Sequence, residues 1–191
     1  MHELDKIALR KALRQQRAQL TREQVTAAGE AVARQILACD AFRKAKSIMG
    51  FLAFGKELSV DLVLEQALAM GKTVAVPHIE SATSFVPVRL KNLQDFDLDR
   101  YGIRTVRLPL ELIEPNAFDL VLVPGVAFGR DGSRMGMGAG YYDRFLPQAK
   151  QAVTMGVAYD CLLHESLPCD EHDVKMQCLV SESGILTLSP L

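Results

Sequence analysis

The sequence predicts an α/β fold: a layered α/β/α arrangement in a single domain spanning residues 1–191, with a mostly parallel central sheet and two N-terminal helices. Three observations carry this reading. Short apolar runs of strand length recur at 47–54 (SIMGFLAF), 73–79 (TVAVPHI), 118–125 (FDLVLVPG) and 152–159 (AVTMGVAY). Segments with helical periodicity alternate with them, as parallel strands require. A chain of 191 residues with 49% hydrophobic composition also has enough apolar surface for one large core.

In chain order, Leu9, Leu13 and Leu20 mark one side of a first helix, with Lys6, Arg10 and Arg14 recurring every fourth residue on another. Thr21 to Gln24 reads as a capping box, after which Val25, Ala28, Val32 and Ile36 supply the apolar stripe of a second helix. The run at 47–54 is the first strand. Val60, Val63, Leu64, Ala67 and Leu68 follow as a helical stripe closed by Gly71, and TVAVPHI completes a βαβ unit with parallel strands. FVPVRL reads as an edge strand, because Pro87 cannot donate to a ladder. Residues 91–117 read as an irregular excursion broken by Pro109 and Pro115, a kind of connection that often carries function. FDLVLVPG is a buried strand, YYDRFL begins a helix, and AVTMGVAY and CLVSESGILTL supply the last strand material.

Composition narrows the function classes. With 22 basic against 23 acidic residues the chain lacks the positive field of a general nucleic-acid binder, so any anion site must be local. No apolar run approaches membrane-spanning length and the N-terminus has no hydrophobic signal core, while Glu3 and Asp5 argue against an organelle address; the expectation is a cytoplasmic protein. Cys39, Cys161, Cys169 and Cys178 include no CxxC pair, so reduced thiols are expected. Cys161, His164, Cys169 and His172 form two CxxH pairs of zinc-compatible chemistry, but without the standard finger spacings; an ordinary partly buried connection is the simpler reading.

The stretch GRDGSRMGMGAGYYDRFL places Gly136, Gly138 and Gly140 at alternate positions after a buried strand and before a helix. Backbone N–H groups converge in such a loop and the helix dipole adds a positive end, so phosphate is the expected occupant, with Arg134 and Arg144 adding charge-assisted contacts. The pattern is neither a P-loop nor the dinucleotide fingerprint, and a plain turn covering core edges with Met135 and Met137 is the alternative. Asp143 is placed to cap the helix or to hold Mg²⁺ beside a polyphosphate, and Asp173 is a possible second carboxylate. Lys6, Arg10 and Arg14 form either a solvated face or a set of phosphate ligands. Glu57 follows a strand at the edge where open α/β sheets bind ligands.

DLVLVPGVAFGRDGSRMGMGAGYYDRFL, with KIALRKALR, FLAFGKELSV, GKTVAVPHI and LPCDEHDVKM in the same order, resembles the 5-formyltetrahydrofolate cyclo-ligase family over nearly the whole chain. The resemblance implies ATP- and Mg²⁺-dependent closure of 5-formyltetrahydrofolate to 5,10-methenyltetrahydrofolate, with release of ADP and phosphate through a phosphorylated formyl group. It implies catalytic roles for Arg134, Arg10 and Tyr141. Nucleotide contacts fall to Lys6, Arg10 and the loop Arg134, Met135, Gly136, Met137, Gly138, Ala139, Gly140, Tyr141 and Tyr142. Folate contacts fall to Arg10, Leu52 and Glu57 with Met137, Gly138, Ala139, Gly140 and Tyr141, and metal contacts to Asp143 and Asp173. Phe51, Phe54 and Tyr141 would offer aromatic surface to a flat pterin. The implied partners are small molecules, without nucleic acid or membrane, on a monomer or weak homo-oligomer. The chain departs from the family pattern at Gly129, where an acid usually follows the AF pair and Asp131 stands two places on. It departs again at Ala139, at Cys161 and in having no Trp.

Overall fold

The computed structural model describes residues 3–94, 96–98 and 102–189. Helix α1 runs Glu3–Ala18 and α2 runs Arg22–Ala38. The capping box is present in full: the Gln24 N–H donates to Thr21 Oγ1 at 3.1 Å and the Thr21 N–H to Gln24 Oε1 at 2.8 Å. A third helix that the sequence reading missed, α3 (Asp40–Lys44), precedes the first strand, with the Phe42 N–H donating to the Cys39 sulfur at its start. Its single turn is too short to leave a periodic signal.

Strand β1 (Ser47–Met49), helix α4 (Asp61–Ala69) and strand β2 (Thr73–Ile79) form the expected parallel βαβ unit, with Ile48 opposite Val74. β1 is much shorter than the apolar run 47–54. The Gly50 N–H still reaches Ala75 O, but the chain then leaves the sheet and turns at Gly55, whose φ is +62°. The hydrophobicity of Phe51, Leu52 and Phe54 serves a cavity wall rather than a ladder. β3 (Phe85–Arg89) pairs antiparallel with β2 at the sheet edge, Pro87 facing Pro77.

The excursion at 91–117 contains more order than its composition suggests. β4 (Phe96–Leu98) and β5 (Arg104–Val106) form an antiparallel pair, and Arg104 makes two contacts with Asp61 on α4, at 2.7 and 2.9 Å. Residues 95 and 99–101 of this excursion lie outside the described residues. β6 (Leu120–Val123) follows, then β7 (Ala127–Gly129), β8 (Arg134–Met135), α5 (Tyr141–Phe145), β9 (Val153–Val157), β10 (Leu163–His164), β11 (Cys178–Ser181) and β12 (Gly184–Thr187).

The central sheet has seven strands in the order β12-β11-β9-β6-β1-β2-β3. The five inner strands are parallel and both edges antiparallel. Alternate residues of each inner strand go to opposite faces and both sets are buried. Ile48, Val74, Leu120 and Leu122 pack with Val32, Ile36 and Leu64 of the helices on one face. Met49, Ala75, Val121 and Val123 pack with Phe128, Tyr142 and Phe145 on the other, where the cover is α5 and the turn after it. Successive strands run outward in both directions from β1 and β6, so the carboxyl ends of these two strands form a topological switch point, the usual ligand crevice of an open α/β sheet.

Candidate functional site

A cavity of about 670 Å³ opens at that switch point. The segment after β1 contributes Phe51, Leu52, Phe54 and Glu57, the end of β2 contributes Pro77 to Ile79, and the end of β6 contributes Pro124 and Gly125. α1 adds Lys6 and Arg10, β8 and the loop beyond it add Arg134 to Asp143, and the segment after β10 adds Asp170 and Asp173. Every residue that the family resemblance implicates therefore lines one cavity, although they come from segments far apart in the chain.

The glycine loop is shaped around arginines. A Cβ at Gly136 would lie 2.7 Å from Arg134 Nη1, so the absent side chain leaves room for that guanidinium. Gly138 has φ +104°, closed to ordinary residues, and its Cα faces the Arg10 guanidinium; Arg10 Nε donates to Gly136 O at 3.0 Å. Arg134 is 9% exposed and its Nη2 donates to Asp143 Oδ1 at 2.7 Å. Its Nε is buried without a partner, as is the hydroxyl of Tyr142, whose ring lies under the guanidinium at 5.7 Å. Arg134 and Tyr142 line the cavity, while these two atoms themselves are shut off from its open space.

Two expectations about this loop need correction. Arg144 does not line the cavity: it donates to Thr83 O at 2.6 Å and to Ala139 O, bracing the loop against the turn between β2 and β3. Tyr141 Oη joins the same brace through Ser81 O at 3.2 Å, while its ring faces the cavity. The helix dipole also carries less weight than the sequence suggested, since α5 has five residues and too few aligned peptides to matter beyond its own first turn. Positive charge in the loop comes from side chains.

Lys6 is 8% exposed and paired with Asp170 at 2.6 Å and Asp173 at 3.0 Å. Burial alone would raise the Asp173 carboxyl, but the Asp170 N–H and Lys6 outweigh it and hold it below its ordinary range. Arg14, expected on the stripe with Lys6 and Arg10, points to solvent. Arg17, which the sequence reading left out, is the buried continuation of the stripe, and its Nη1 donates to Gly125 O at 3.2 Å. The signal was present as the i, i+4, i+7, i+11 series Lys6, Arg10, Leu13, Arg17, which keeps to one helix face better than a strict four-residue repeat. His78, Phe85 and Arg104 also line the cavity without having been singled out from sequence.

Glu57 is mostly buried, and that burial pushes its carboxyl above the ordinary range, partly offset by the Phe54 N–H at 3.1 Å and by Arg17. The site thus combines guanidinium and ammonium groups and three acids with an aromatic surface and one mostly buried carboxyl. Such a cavity suits a polyanion beside a flat, N–H-bearing heterocycle. Asp143 and Asp173 offer hard carboxylate oxygens to a divalent cation. Among the described residues no cluster of three or more His, Cys, Asp or Glu side chains could hold a metal unaided, so phosphate oxygens and water would have to complete the shell.

The departure at Gly129 has a structural cause. A Cβ there would fall 2.1 Å from Ser133 Oγ and 2.5 Å from Asp131 Oδ1, so no acid fits at 129 while Asp131 closes this turn. Burial would raise the Asp131 carboxyl, but Lys175 at 2.7 Å and the Ser133 hydroxyl and N–H lower it to about 2. An unfolded Asp titrates near ~3.9, so this contribution to stability is complete above that pH and is lost as pH falls toward about 2. The stability difference between the parent chain and Asp131→Asn, from urea unfolding at stepped pH, should therefore shrink across that interval; a constant difference would remove the ion pair as its source. Partial exposure of Asp131 keeps the effect small.

A sequence model of the 5-formyltetrahydrofolate cyclo-ligase family matches residues 2–182. The chain is 32% identical over 178 residues to the 5-formyltetrahydrofolate cyclo-ligase of Escherichia coli strain K12, covering 91% of this chain and 98% of that one. It is 32% identical over 173 residues to the Haemophilus influenzae protein of the same name, with 88% and 92% covered. Among solved structures, the NMR structure of Aquifex aeolicus 5,10-methenyltetrahydrofolate synthetase superposes with a TM-score of 0.85 at 28% identity, covering 97% of this chain and 94% of that chain.

Proposed function

The chain belongs to the 5-formyltetrahydrofolate cyclo-ligase family, and from that premise we propose that it closes 5-formyltetrahydrofolate to 5,10-methenyltetrahydrofolate at the expense of ATP, in the cytoplasm, as a monomer or weak homo-oligomer. The observation that carries this reading is the single cavity that joins Lys6, Arg10 and Arg134 to Phe51, Leu52 and Glu57.

The formyl oxygen of an amide leaves poorly. Transfer of the γ-phosphoryl group to that oxygen gives an O-phosphorylated formyl group, with an activated carbon, and ADP. The N10 lone pair attacks the carbon, the C–O bond breaks with departure of phosphate, and N10 loses its proton. Lys6, Arg10 and Arg134 would hold the phosphates, and the loop from Arg134 to Tyr142 would wrap them. Little covalent work falls to the protein, so orientation and charge neutralisation carry the catalysis. Arg10 and Tyr141 both line the cavity, and by the family resemblance they would meet the formyl end.

Glu57 and Leu52 would meet the pterin, Glu57 accepting from its N–H edge while Phe51, Phe54 and Tyr141 cover its faces. Asp143 and Asp173 would hold Mg²⁺, which when bound supplies countercharge to the polyphosphate. The test is the absorbance of the methenyl product with 5-formyltetrahydrofolate and Mg²⁺, with and without ATP. An ATP-dependent rise is expected, and folded protein that gives none would overturn the reading.

A further inference from the structure

Glu57 is a cavity-lining carboxyl whose burial works against its own charge, and it can accept hydrogen bonds through both oxygens only if something nearby opposes protonation. Its Oε2 accepts from the Phe54 N–H inside its own turn. Its Oε1 lies 3.9 Å from Arg17 Nη1, and the two side chains are 17% and 10% exposed. Arg17 does not line the cavity; it stands behind the wall, bound to Gly125 O at 3.2 Å. One guanidinium thus spans both sides of the switch point, the turn after β1 and the end of β6. The same turn is fixed to the segment after α1 by Lys56, which donates to Leu20 O at 2.6 Å, and to the segment after β9 by Tyr159, whose hydroxyl donates to Lys56 O at 3.1 Å.

We propose that Arg17 is a positioning residue that keeps Glu57 ionised and aimed into the cavity, so that the carboxylate can accept hydrogen bonds from the N–H edge of the pterin. The proposal rests on the cyclo-ligase reading for its ligand. A guanidinium keeps its charge at every working pH, whereas a buried carboxylate without a partner neutralises itself. The groups that face Glu57 are Arg17 from α1, Tyr142 from α5 and Tyr159 from the segment after β9. Burial raises both phenols, Tyr159 to about 12, so they remain neutral while Glu57 titrates, and Arg17 supplies the opposing charge. Arg14, the other cation that Arg17 faces, is solvent-exposed.

The experiment uses the full chain as the parent, Arg17→Met and Arg17→Lys, the Met variant preserving the apolar stem. The ¹³C resonance of the Glu57 carboxyl is titrated in ligand-free protein, and the dissociation constant for 5-formyltetrahydrofolate is measured from mildly acidic to mildly alkaline pH. In Arg17→Met the Glu57 midpoint should rise. Folate binding should weaken roughly tenfold at the acid end and recover as pH rises, with Arg17→Lys closer to the parent in both readouts. Glu57→Gln should abolish the pH dependence. A merely structural Arg17 would weaken binding equally at every pH. An unchanged midpoint or a pH-independent loss in Arg17→Met overturns the proposal, and if Arg17→Met does not fold, the equally uncharged Arg17→Gln is judged by the same two readouts. A parent protein that does not bind 5-formyltetrahydrofolate sinks the folate reading instead, and the ligand-free titration still decides whether Arg17 holds the charge of Glu57.

Discussion

Arg134→Ala should reduce ATP-dependent formation of the methenyl product by about 10²–10³-fold while leaving the fold intact. The side chain is 6% exposed and lines the cavity, where it pairs with Asp143 and lies over Tyr142. A phosphoryl group in transfer spreads charge over its oxygens, and a buried guanidinium beside it acts without the screening of bulk water. Truncation also leaves Asp143 with only the Val174 N–H at 3.3 Å, so a stability loss of about 1–3 kcal/mol is expected. A melting curve separates that loss from the loss of turnover. Arg134→Lys should fall between the two, since a lysine restores charge without the planar fork that reaches Asp143 and a ligand together. Parental activity in Arg134→Ala would remove the assignment of the loop to phosphate.

The alternation of strands and helices that builds the sheet was legible because apolar runs and helical periodicity are local properties. FDLVLVPG, TVAVPHI and the capping box at Thr21 announce themselves within a few residues, and each occurs where expected. The strand after α3 was read too long because hydrophobicity alone cannot tell a ladder from a cavity wall. Phe51 and Leu52 are apolar for the second reason, and only the topology of β1 between β6 and β2 reveals it.

The same limit explains the arginines. Arg144 sits in the glycine loop and was expected to reach phosphate, but the carbonyls of Thr83 and Ala139 take it up, and Thr83 belongs to a turn that sequence does not bring near. Arg17 was not singled out, because an arginine on a helix face is solvated in most proteins. Its burial depends on Gly125 and Glu57, which meet only after the sheet has formed. Charge on a helix face is local information, whereas the partner of that charge is tertiary.

Asp143→Asn separates two roles that the geometry superimposes on one carboxylate. Asp143 Oδ1 accepts from Arg134 at 2.7 Å and from the Val174 N–H, which by themselves would make it a structural anchor. An asparagine keeps an acceptor oxygen for both donors and nearly the same shape, but loses the charge that a divalent cation needs. If the carboxylate meets Mg²⁺ beside the nucleotide, turnover should fall and the Mg²⁺ concentration for half-maximal rate should rise by at least about tenfold. Binding of 5-formyltetrahydrofolate, which needs no metal in this reading, should change little. If Asp143 only anchors Arg134, the variant should lose turnover with its Mg²⁺ dependence unchanged, and the loss should resemble a milder Arg134→Lys. The two results differ in the shape of the Mg²⁺ titration rather than in total activity, so a partly destabilised variant still distinguishes them.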